Sequence, residues 1–326
     1  MNTPRNIDIN LLRTMPLPLI QGETDKNSRG KVLVVGGSRT VPGAVVLGGL
    51  AALRVGAGKI QLAVPACLAP AIGLVVLEAG ILPLRESAEG EALPSEELPA
   101  LAQHVDAVLV GPGMMNQRAA RDVLRLLLQE VKGPVYVIDA LALCDLWDEG
   151  PLLHSHGGRI VLTPHAGEMA QLCGMEKAAV AANPVAIART AAERLGACII
   201  LKGATSFVVS PTGPAYVHTD GVVGLSTAGS GDVLAGIVAG LAGRGTDTIT
   251  AAIWAVLLHG RAGRQLTQTV GKVGFIAREL IEELPLLLEA VEVSTGSGSS
   301  DQAEGESPMP QTASILLPSG SKVNAP

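Results

Sequence analysis

The sequence predicts an α/β fold of the doubly wound type, with a mostly parallel central sheet flanked by helices on both faces. One observation is a series of short apolar runs that end in glycine or polar clusters, such as KVLVVGGS and DAVLVGPGM. The other is that segments with helical spacing, such as QRAARDVLRLLLQEV, lie between most of these runs. Continuously apolar strands, each followed by a helix, are typical of a parallel sheet covered on both faces.

The predicted strands are, in chain order, KVLVVGGS, KIQLAVPA, DAVLVGPGM, PVYVIDALA, RIVLTPHAGE and CIILKGATS. The segment GAVVLGGLAALRVGAG supplies a helix after the first of them. SFVVSPTGPAYVHTDG instead contains two short strands around a Pro-Thr-Gly turn, which predicts an antiparallel hairpin at one edge of the sheet. Because ligands of such sheets bind beyond the carboxyl ends of the strands, the residues that end these runs are the site candidates.

Composition divides the chain into three parts. We expect residues 1–29 to form an N-terminal arm, residues 30–291 the folded domain, and residues 292–326 a disordered tail. The last part is rich in Ser, Gly and Pro and has little to bury. With 326 residues, the chain can bury roughly three quarters of its unfolded surface, which is enough for one large domain or two small ones.

The composition argues against nucleic acid and membrane partners. The net charge is −6 and 2% of residues are aromatic, whereas nucleic-acid binders need basic patches and aromatic platforms. No charge-poor apolar run reaches the roughly 18 residues of a membrane span, and LLRTMPLPLI is unlike a signal peptide. The cysteines lack metal-ligand spacing, which favours reduced thiols in a cytoplasmic protein. They are Cys67, Cys144, Cys173 and Cys198.

One glycine-rich motif is a candidate anion site, and two other nucleotide motifs are missing. In LRVGAGKI, a Walker A motif would need Gly where Leu53 stands and Ser or Thr where Ile60 stands. No G-x-G-x-x-G follows a strand, so a P-loop NTPase and a Rossmann dehydrogenase both lose support. In AGSGDVLAG, by contrast, Gly229 and Gly231 allow consecutive N–H groups to point outward before a helix, an arrangement that binds anions.

Asp232 follows this loop at the first turn of a helix whose faces carry either larger aliphatic residues or only Ala and Gly. The pattern predicts a helix buried on most sides. Asp232 is then either an N-cap, which is the commoner use of Asp, or a catalytic base. The preceding G-x-G favours the base, because a cap does not require it.

Polar residues also follow two predicted strands. Lys202 comes directly after CIIL and either extends to the surface or, with Thr205 and Ser206, faces a phosphate. His165 and Glu168 follow RIVLTP, where His165 alone is most simply a satisfied polar residue and Glu168 a cap of the next helix.

Asp139 stands at the end of the strand PVYVI, and Gly111 and Gly113 follow another strand, where their missing side chains would admit a ligand. The chain has no Ser-His-Asp order with a nucleophile elbow. Hydrolase chemistry of that type is therefore disfavoured.

Seven motifs occur in the order KVLVVGGS, GAVVLGGLAALRVGAG, LVGPGM, LTPHAGEMAQL, LKGATSFVVSPTG, AGSGDVLAGIVAGLAG and LLHGRAG. Over roughly residues 30–287 the chain resembles the ADP-dependent NAD(P)H-hydrate dehydratases, a branch of the ribokinase-like superfamily. The resemblance implies repair of the (6S)-hydrate of NADH or NADPH, with ADP or ATP as co-substrate, Mg²⁺ as cofactor, and NAD(P)H, AMP and phosphate as products. The resemblance also implies a homotetramer. An epimerase domain is often fused to this domain in the family, and we expect the domain to stand without it here, so the protein would work with a separate epimerase of the hydrate.

The resemblance assigns roles to residues of this sequence. Asp232 would take the proton from the C6 hydroxyl as that oxygen attacks the β-phosphorus of ADP, and phosphate would then leave C6. The backbone N–H groups that would hold the transferring phosphoryl group belong to Gly229, Ser230, Gly231 and Asp232. The residues that would bind AMP are Lys202, Gly203, Ala204, Thr205, Ser206 and Gly231. The residues that would contact the hydrate are Ala44, Gly113, His165 and Asp232.

Two positions depart from related patterns. Relatives often carry an acid where DALAL has Leu141, so the role of that acid is absent here or supplied elsewhere. The wider superfamily has an N-x-x-E motif that organises Mg²⁺, whereas this chain has His165-x-x-Glu168. The His form agrees with the dehydratase branch and leaves the metal ligand open, with Glu168 as a candidate for an indirect contact.

Two rival functions use the same fold. A small-molecule kinase of the thiazole or hydroxymethylpyrimidine type would share Asp232 and the anion loop but leave the phosphate on its product. The Asn expected of such a kinase is replaced by His165, which counts against it. A non-catalytic nucleotide-binding protein would need no base, so the intact Gly-Ser-Gly-Asp of residues 229–232 argues against that reading.

Overall fold

Ten strands form one sheet at the centre of the molecule in the computed structural model, which describes residues 3–19 and 28–296. The strands are β1 (Arg5–Asn6), β2 (Lys31–Val35), β3 (Lys59–Pro65), β4 (Ala79–Leu84), β5 (Ala107–Val110), β6 (Val135–Ile138), β7 (Ile160–Leu162), β8 (Cys198–Leu201), β9 (Ser206–Val209) and β10 (Ala215–His218). Their order across the sheet is β1-β10-β9-β8-β7-β6-β5-β2-β3-β4.

The sheet is mostly parallel, as predicted. Seven adjacent strands pair with one another in parallel, in the order β8-β7-β6-β5-β2-β3-β4. Strand β9 is instead antiparallel to both β8 and β10. The predicted hairpin is thus β9–β10, and β1 extends it by pairing in parallel with β10. Sequence analysis missed β4, because Gly80 and Pro83 interrupt its apolar run. A proline is tolerated there because β4 is an edge strand.

Twelve helices within the described residues pack around the sheet. They are α1 (Ile9–Arg13), α2 (Gly43–Arg54), α3 (Ala69–Val75), α4 (Glu97–Ala102), α5 (Gln117–Glu130), α6 (Gly150–His154), α7 (Ala166–Cys173), α8 (Lys177–Ala182), α9 (Pro184–Leu195), α10 (Ser230–Gly243), α11 (Thr248–Thr269) and α12 (Ala277–Thr295). Short 3-10 turns span Ala140–Leu143, Leu146–Asp148 and Val223–Leu225.

The helices form a layer on each face of the sheet. Helices α1, α2, α10, α11 and α12 share one hydrophobic core with Val32 and Val34 of β2. Helices α4, α5, α7, α8 and α9 share the other core with Leu33 and Val35. Successive residues of β2 therefore point into opposite cores, which explains why the whole strand is apolar.

Helix α10 lies deep in the first layer, as its small residues predicted. Every residue from Val233 to its end at Gly243 is buried. A Cβ atom built on Gly236 would lie 2.3 Å from the carbonyl oxygen of Gly48 on α2. The two helices thus cross at backbone contact, which only glycine permits at this position.

The N-terminal segment packs into the domain. Besides the pairing of β1, Leu12 is fully buried, and Trp254 Nε1 donates a hydrogen bond to the Met15 carbonyl oxygen at 2.7 Å. Residues 3–19 of the predicted arm are therefore part of the packing, an outcome that sequence analysis did not anticipate. Residues 20–27 of that arm lie outside the described residues.

The predicted tail boundary at residue 292 is wrong. Helix α12 continues to Thr295, and Glu292 accepts a hydrogen bond from Arg244 at 3.1 Å. The Glu292 side chain is thereby tied to a guanidinium group that is only 3% exposed. Residues 297–326, the rest of the predicted tail, lie outside the part of the chain that the structure describes.

In the described ranges, no helix is both long enough and apolar enough to cross a membrane. All four cysteines are free thiols, as expected.

Candidate functional site

Three neighbouring strands end at the same edge of the sheet and bring polar side chains together. Asp139 follows β6, Thr163 follows β7 and Lys202 follows β8. Backbone pairing continues beyond the strands, because the Thr163 N–H donates to the Ile138 carbonyl at 3.1 Å and the Lys202 N–H to the Pro164 carbonyl at 2.8 Å. The side chains are therefore held in register by the sheet itself.

These side chains form a buried network around one carboxylate. Asp139 is 2% exposed, and its Oδ1 accepts hydrogen bonds from Lys202 Nζ at 2.7 Å and from Thr163 Oγ1 at 2.6 Å. Glu168 Oε2 lies 3.8 Å from the same ammonium group. Burial alone would lower the pKa of Lys202, but the charges of Asp139 and Glu168 raise it overall. The interpretation of Lys202 as a surface lysine is wrong, because its ammonium group points into the site.

A turn at Gly229 leads directly into α10, as the glycine-rich motif predicted. Gly229 is the residue before α10 and adopts a left-handed φ of +87°. It caps the helix without a side chain, and Asp232 is the third helical residue, so the N-cap interpretation of Asp232 is wrong. The Ser230 N–H already donates to the Thr227 carbonyl at 3.3 Å. The amides of Gly231 and Asp232 are therefore the main candidates for holding an anion.

Lys202 and the anion loop face the same point. A Cβ atom built on Gly231 would lie 3.2 Å from Lys202 Nζ. The missing side chain of Gly231 thus lets the ammonium group approach the start of α10. A positive charge and the amino end of a helix together form a site for a phosphate group.

The environment of Asp232 suits a proton acceptor. Burial raises the pKa of its carboxyl group to about 7, with a further rise from the charge of Asp139 and a smaller one from Glu168. Lys202 acts in the opposite direction. A carboxyl group with a pKa close to 7 is well matched to general base catalysis at neutral pH.

His259, from the motif LLHGRAG, anchors the loop from α11. Its Nε2–H donates to Ser230, with the carbonyl oxygen at 3.1 Å and Oγ at 2.9 Å. Burial lowers the pKa of His259 to about 4, so the ring is neutral at pH 7. No role for His259 could be predicted from this motif, because a histidine on an apolar helix carries no signal of its partner.

His165 is held in one tautomer by the helix that it caps. Its Nδ1 accepts hydrogen bonds from the N–H groups of Gly167 at 2.9 Å and Glu168 at 3.1 Å. Glu168 Oε2 in turn accepts from the His165 N–H at 2.7 Å, which completes a capping box. The predicted cap role of Glu168 is confirmed. Because Nδ1 is an acceptor, the ring proton is on Nε2, on a side chain that is 57% exposed.

A cavity of about 520 Å³ adjoins the anion loop. Of the six residues predicted to bind AMP, five line it, and Thr205 does not. The five are Lys202, Gly203, Ala204, Ser206 and Gly231. His165 lines it as well, and its apolar wall includes Leu225, Leu234 and Val256, which sequence analysis missed because they come from three separate elements.

Two residues predicted to contact the hydrate lie together outside that lining. A Cβ atom on Gly113 would be 3.1 Å from the Ala44 Cβ and 2.4 Å from the Val41 carbonyl oxygen. A Cβ atom on Gly111 would lie 1.9 Å from the Asp139 carbonyl oxygen. The expectation that these glycines leave room for a ligand is therefore wrong, because backbone fills the space. The assignment of Gly113 to the hydrate stays a prediction.

Among residues 3–19 and 28–296, no group of three or more His, Cys, Asp or Glu side chains is arranged to hold a metal ion. The carboxylates around Lys202 and Asp232 are Asp139, Glu168 and Asp232 itself. Asp139 is bound to Lys202 and Thr163, which leaves Glu168 as the more accessible acid.

The architecture is that of the ribokinase-like proteins, a class of α/β enzymes and relatives. A ribokinase-like superfamily protein from Enterococcus faecalis superimposes with a TM-score of 0.75 at 24% identity, covering 88% of this chain and 96% of its own. Within this class, a family model described as NAD(P)H-hydrate dehydratase matches residues 32–286, and the chain belongs to that family. The family inferred from the seven motifs is thereby confirmed.

Individual relatives agree. An ADP-dependent (S)-NAD(P)H-hydrate dehydratase from Xanthomonas campestris is 46% identical over 87% of this chain and 96% of its own. A bifunctional NAD(P)H-hydrate repair enzyme from Moorella thermoacetica is 37% identical over 85% of this chain, which spans 52% of that protein. The ADP/ATP-dependent NAD(P)H-hydrate dehydratase of Bacillus subtilis, co-crystallised with ATP and Mg²⁺, has a TM-score of 0.74 at 26% identity and covers 90% of this chain and 100% of its own.

Proposed function

We propose that the protein is an ADP-dependent (S)-NAD(P)H-hydrate dehydratase that regenerates NADH or NADPH and releases AMP and phosphate. The relative from Xanthomonas campestris, which carries this activity in its name and aligns over nearly its whole length, supports the assignment. The structural observation that carries it is the mostly buried Asp232 carboxyl, with its pKa raised to about 7, at the start of α10. A nucleotide sensor has no need of such a group.

Asp232 performs the first proton transfer. It accepts the proton of the C6 hydroxyl as that oxygen bonds to the β-phosphorus of ADP, while the bond from that phosphorus to the AMP oxygen breaks. Phosphate then leaves C6, displaced by the lone pair of the ring nitrogen, and the adjacent ring carbon loses a proton. The products are the reduced nicotinamide, AMP and phosphate.

The protein stabilises the transferring phosphoryl group with fixed charges. The amides of Gly231 and Asp232 and the ammonium group of Lys202 surround its binding point and are in place before reaction, which avoids a reorganisation cost. The cavity beside Lys202 receives the rest of the nucleotide, with its apolar wall against the base. Thr205, outside that lining, contributes through the loop that it shares with Gly203 and Ser206.

The hydrate binds on the side of α10 that faces α2. Ala44 and Gly113 form that part of the site, and His165 offers the hydrate its Nε2–H, which lies 3.5 Å from Glu168 Oε1 in the structure. The superfamily kinases that carry Asn at this position keep a helix cap but lose the imidazole N–H. His165 therefore favours the dehydratase over the rival kinase.

The nucleotide brings the divalent cation. Mg²⁺ holds few protein ligands and keeps several waters. The partly exposed Glu168 therefore fits an indirect contact, through water, with an ion carried by the phosphates. When bound, the ion neutralises phosphate charge. The Bacillus subtilis enzyme was co-crystallised with ATP and Mg²⁺, which supports Mg²⁺ as the cofactor. That enzyme is described as ADP/ATP-dependent, which supports ATP as an alternative co-substrate.

We also propose that the protein works as a homotetramer in the cytoplasm, without nucleic acid or membrane partners. Free cysteines and a net charge of −6 support this setting. Relatives of about twice the matched length are named as bifunctional repair enzymes. This supports cooperation with a second repair activity, the epimerase that converts the other epimer of the hydrate.

The test is to incubate purified protein with (6S)-NADHX, Mg²⁺ and either ADP or ATP, and to follow recovery of the reduced-nicotinamide absorbance. We expect recovery together with one AMP and one phosphate per turnover when ADP is used. A phosphorylated product without recovered NADH would favour the kinase. No turnover with either nucleotide, for folded protein that binds ADP, would refute the dehydratase assignment.

A further inference from the structure

Asp139 is the most buried carboxylate at the site, yet it lies outside the set of residues assigned to substrates. Its Oδ1 accepts two hydrogen bonds, from Lys202 Nζ and Thr163 Oγ1. We infer that Asp139 is a positioning residue, which holds the Lys202 ammonium group against Gly231 where the nucleotide phosphates bind. This inference rests on the proposed function, because it concerns the same phosphate site.

The distances show that Asp139 is the group that fixes the lysine. Its Oδ1 is 2.7 Å from Lys202 Nζ, whereas the next carboxylate, Glu168, is 3.8 Å away, beyond hydrogen-bond length. Thr163 holds Asp139 itself from the neighbouring strand. Without Asp139, a flexible lysine side chain would have to be ordered by the substrate.

The backbone around Asp139 is shaped to keep it there. Gly111 leaves room for the Asp139 carbonyl, which would collide with any Cβ atom at that position. The next residue, Ala140, adopts a left-handed φ of +52°, which is unfavourable for a residue other than glycine. Asp139 is the one carboxylate of the segment DALAL.

The charge of Asp139 also acts on the base. The charged groups around Asp232 are Asp139 from the end of β6, Glu168 from α7 and Lys202 from the end of β8. His259 on α11 is neutral at pH 7 because burial lowers its pKa to about 4. Removing the negative charge of Asp139 removes one of the two carboxylates that raise the pKa of Asp232 and leaves Lys202 opposed by Glu168 alone, which favours ionised Asp232.

The experiment is a double-mutant cycle with Asp139→Asn, Lys202→Met and the combined variant. We expect Asp139→Asn to lower kcat by about tenfold or more and to shift the acidic limb of the kcat/KM profile to lower pH by roughly one unit. If Asp139 acts through Lys202, adding Asp139→Asn to Lys202→Met causes no further loss of kcat. In the Lys202→Met protein, Asp139 is a buried carboxylate without its partner, and Asp139→Asn removes that unpaired charge. Asp148→Asn, at a side chain that is 91% exposed, is the matched control and leaves both quantities unchanged.

Independent, multiplicative losses in the cycle, or a wild-type pH profile in Asp139→Asn, would overturn the inference. Should Asp139→Asn fail to fold, Thr163→Val serves instead, because it keeps the charge of Asp139 and removes the short hydrogen bond to it together with the longer one to the Ile138 carbonyl. That variant is expected to lower kcat by about threefold or more while leaving the pH limb in place, and an unchanged kcat would count against the inference. If wild-type protein binds ADP but does not dehydrate the hydrate, the proposed function fails. The inference about Asp139 is then tested by measuring the ADP affinities of the same four proteins by calorimetry.

Discussion

Replacing Asp232 with Asn should abolish most turnover and at the same time make the folded protein more stable at neutral pH. The reason is that burial and the charge of Asp139 raise the pKa of this carboxyl from 3.8 to about 7, which means that the folded state opposes its ionisation. An asparagine has nearly the same shape and cannot ionise, so it fills the site without that penalty.

The magnitude follows from the shift. About three pH units correspond to at most about 4 kcal/mol of unfolding free energy. Since the folded pKa is the higher one, the folded state binds the extra proton between the two values. Wild-type stability is therefore unaffected by this group below about pH 4, falls as the pH rises from there to 7, and carries the full penalty above it.

Urea denaturation of wild type and Asp232→Asn at several pH values, at one protein concentration, measures this difference. We expect the two proteins to be nearly equal at about pH 3.5, and the variant to be more stable by about 2–4 kcal/mol at about pH 8. Asp148→Asn is the control and should stay within about 0.5 kcal/mol of wild type at every pH. A stability difference that does not change with pH would refute the reasoning, as would full turnover by Asp232→Asn.

Substitutions at three further positions, one of them with a control, test other features. His165→Asn should keep the α7 cap, so its unfolding free energy should stay within about 0.5 kcal/mol of wild type, whereas that of His165→Ala should fall by about 1 kcal/mol. Both variants should raise the KM for the hydrate. A wild-type KM in His165→Asn would show that His165 is not a donor to the hydrate. Gly236→Ala places a methyl group 2.3 Å from the Gly48 carbonyl oxygen, and chemical denaturation should show a loss of about 3 kcal/mol or more in unfolding free energy. Gly133→Ala is the control and should be neutral, because no atom lies within 4 Å of its new Cβ. Equal stabilities of the two variants would contradict the close crossing of α2 and α10. Ala140→Gly should raise the free energy of unfolding, measured by thermal denaturation, by up to about 1 kcal/mol, because glycine adopts a left-handed φ without strain. A loss of more than about 1 kcal/mol would show that Ala140 is not strained.

The layout of the sheet could be predicted from the sequence because each buried strand is apolar throughout and ends abruptly. The ends of β6, β7 and β8 were found in this way, and so were the polar residues Asp139, His165 and Lys202 that follow them. The turn before α10 could be predicted as well, since a glycine before an apolar helix indicates a backbone conformation directly.

Contacts between distant segments could not be predicted. The hydrogen bonds of Asp139 join strand ends that are 24 and 63 residues apart along the chain, and nothing local in DALAL indicates Thr163 or Lys202 as partners. The N-terminal segment was misjudged for the same reason, because the burial of Leu12 and the bond from Trp254 to Met15 depend on α11 and α12. The strained Ala140 likewise carries no sequence signature.

The glycine crossing of α2 and α10 links two parts of the proposed site as well as the packing. Helix α2 carries Ala44, which we propose contacts the hydrate, and α10 carries Asp232 and the amides that we propose hold the phosphoryl group. Because their backbones touch, no side chain can rearrange at the crossing to change the distance between the two helices. Under the proposed function, this contact would set the spacing between the attacking hydroxyl and the phosphorus, at a scale where a displacement of about 1 Å can slow a reaction by about a hundredfold.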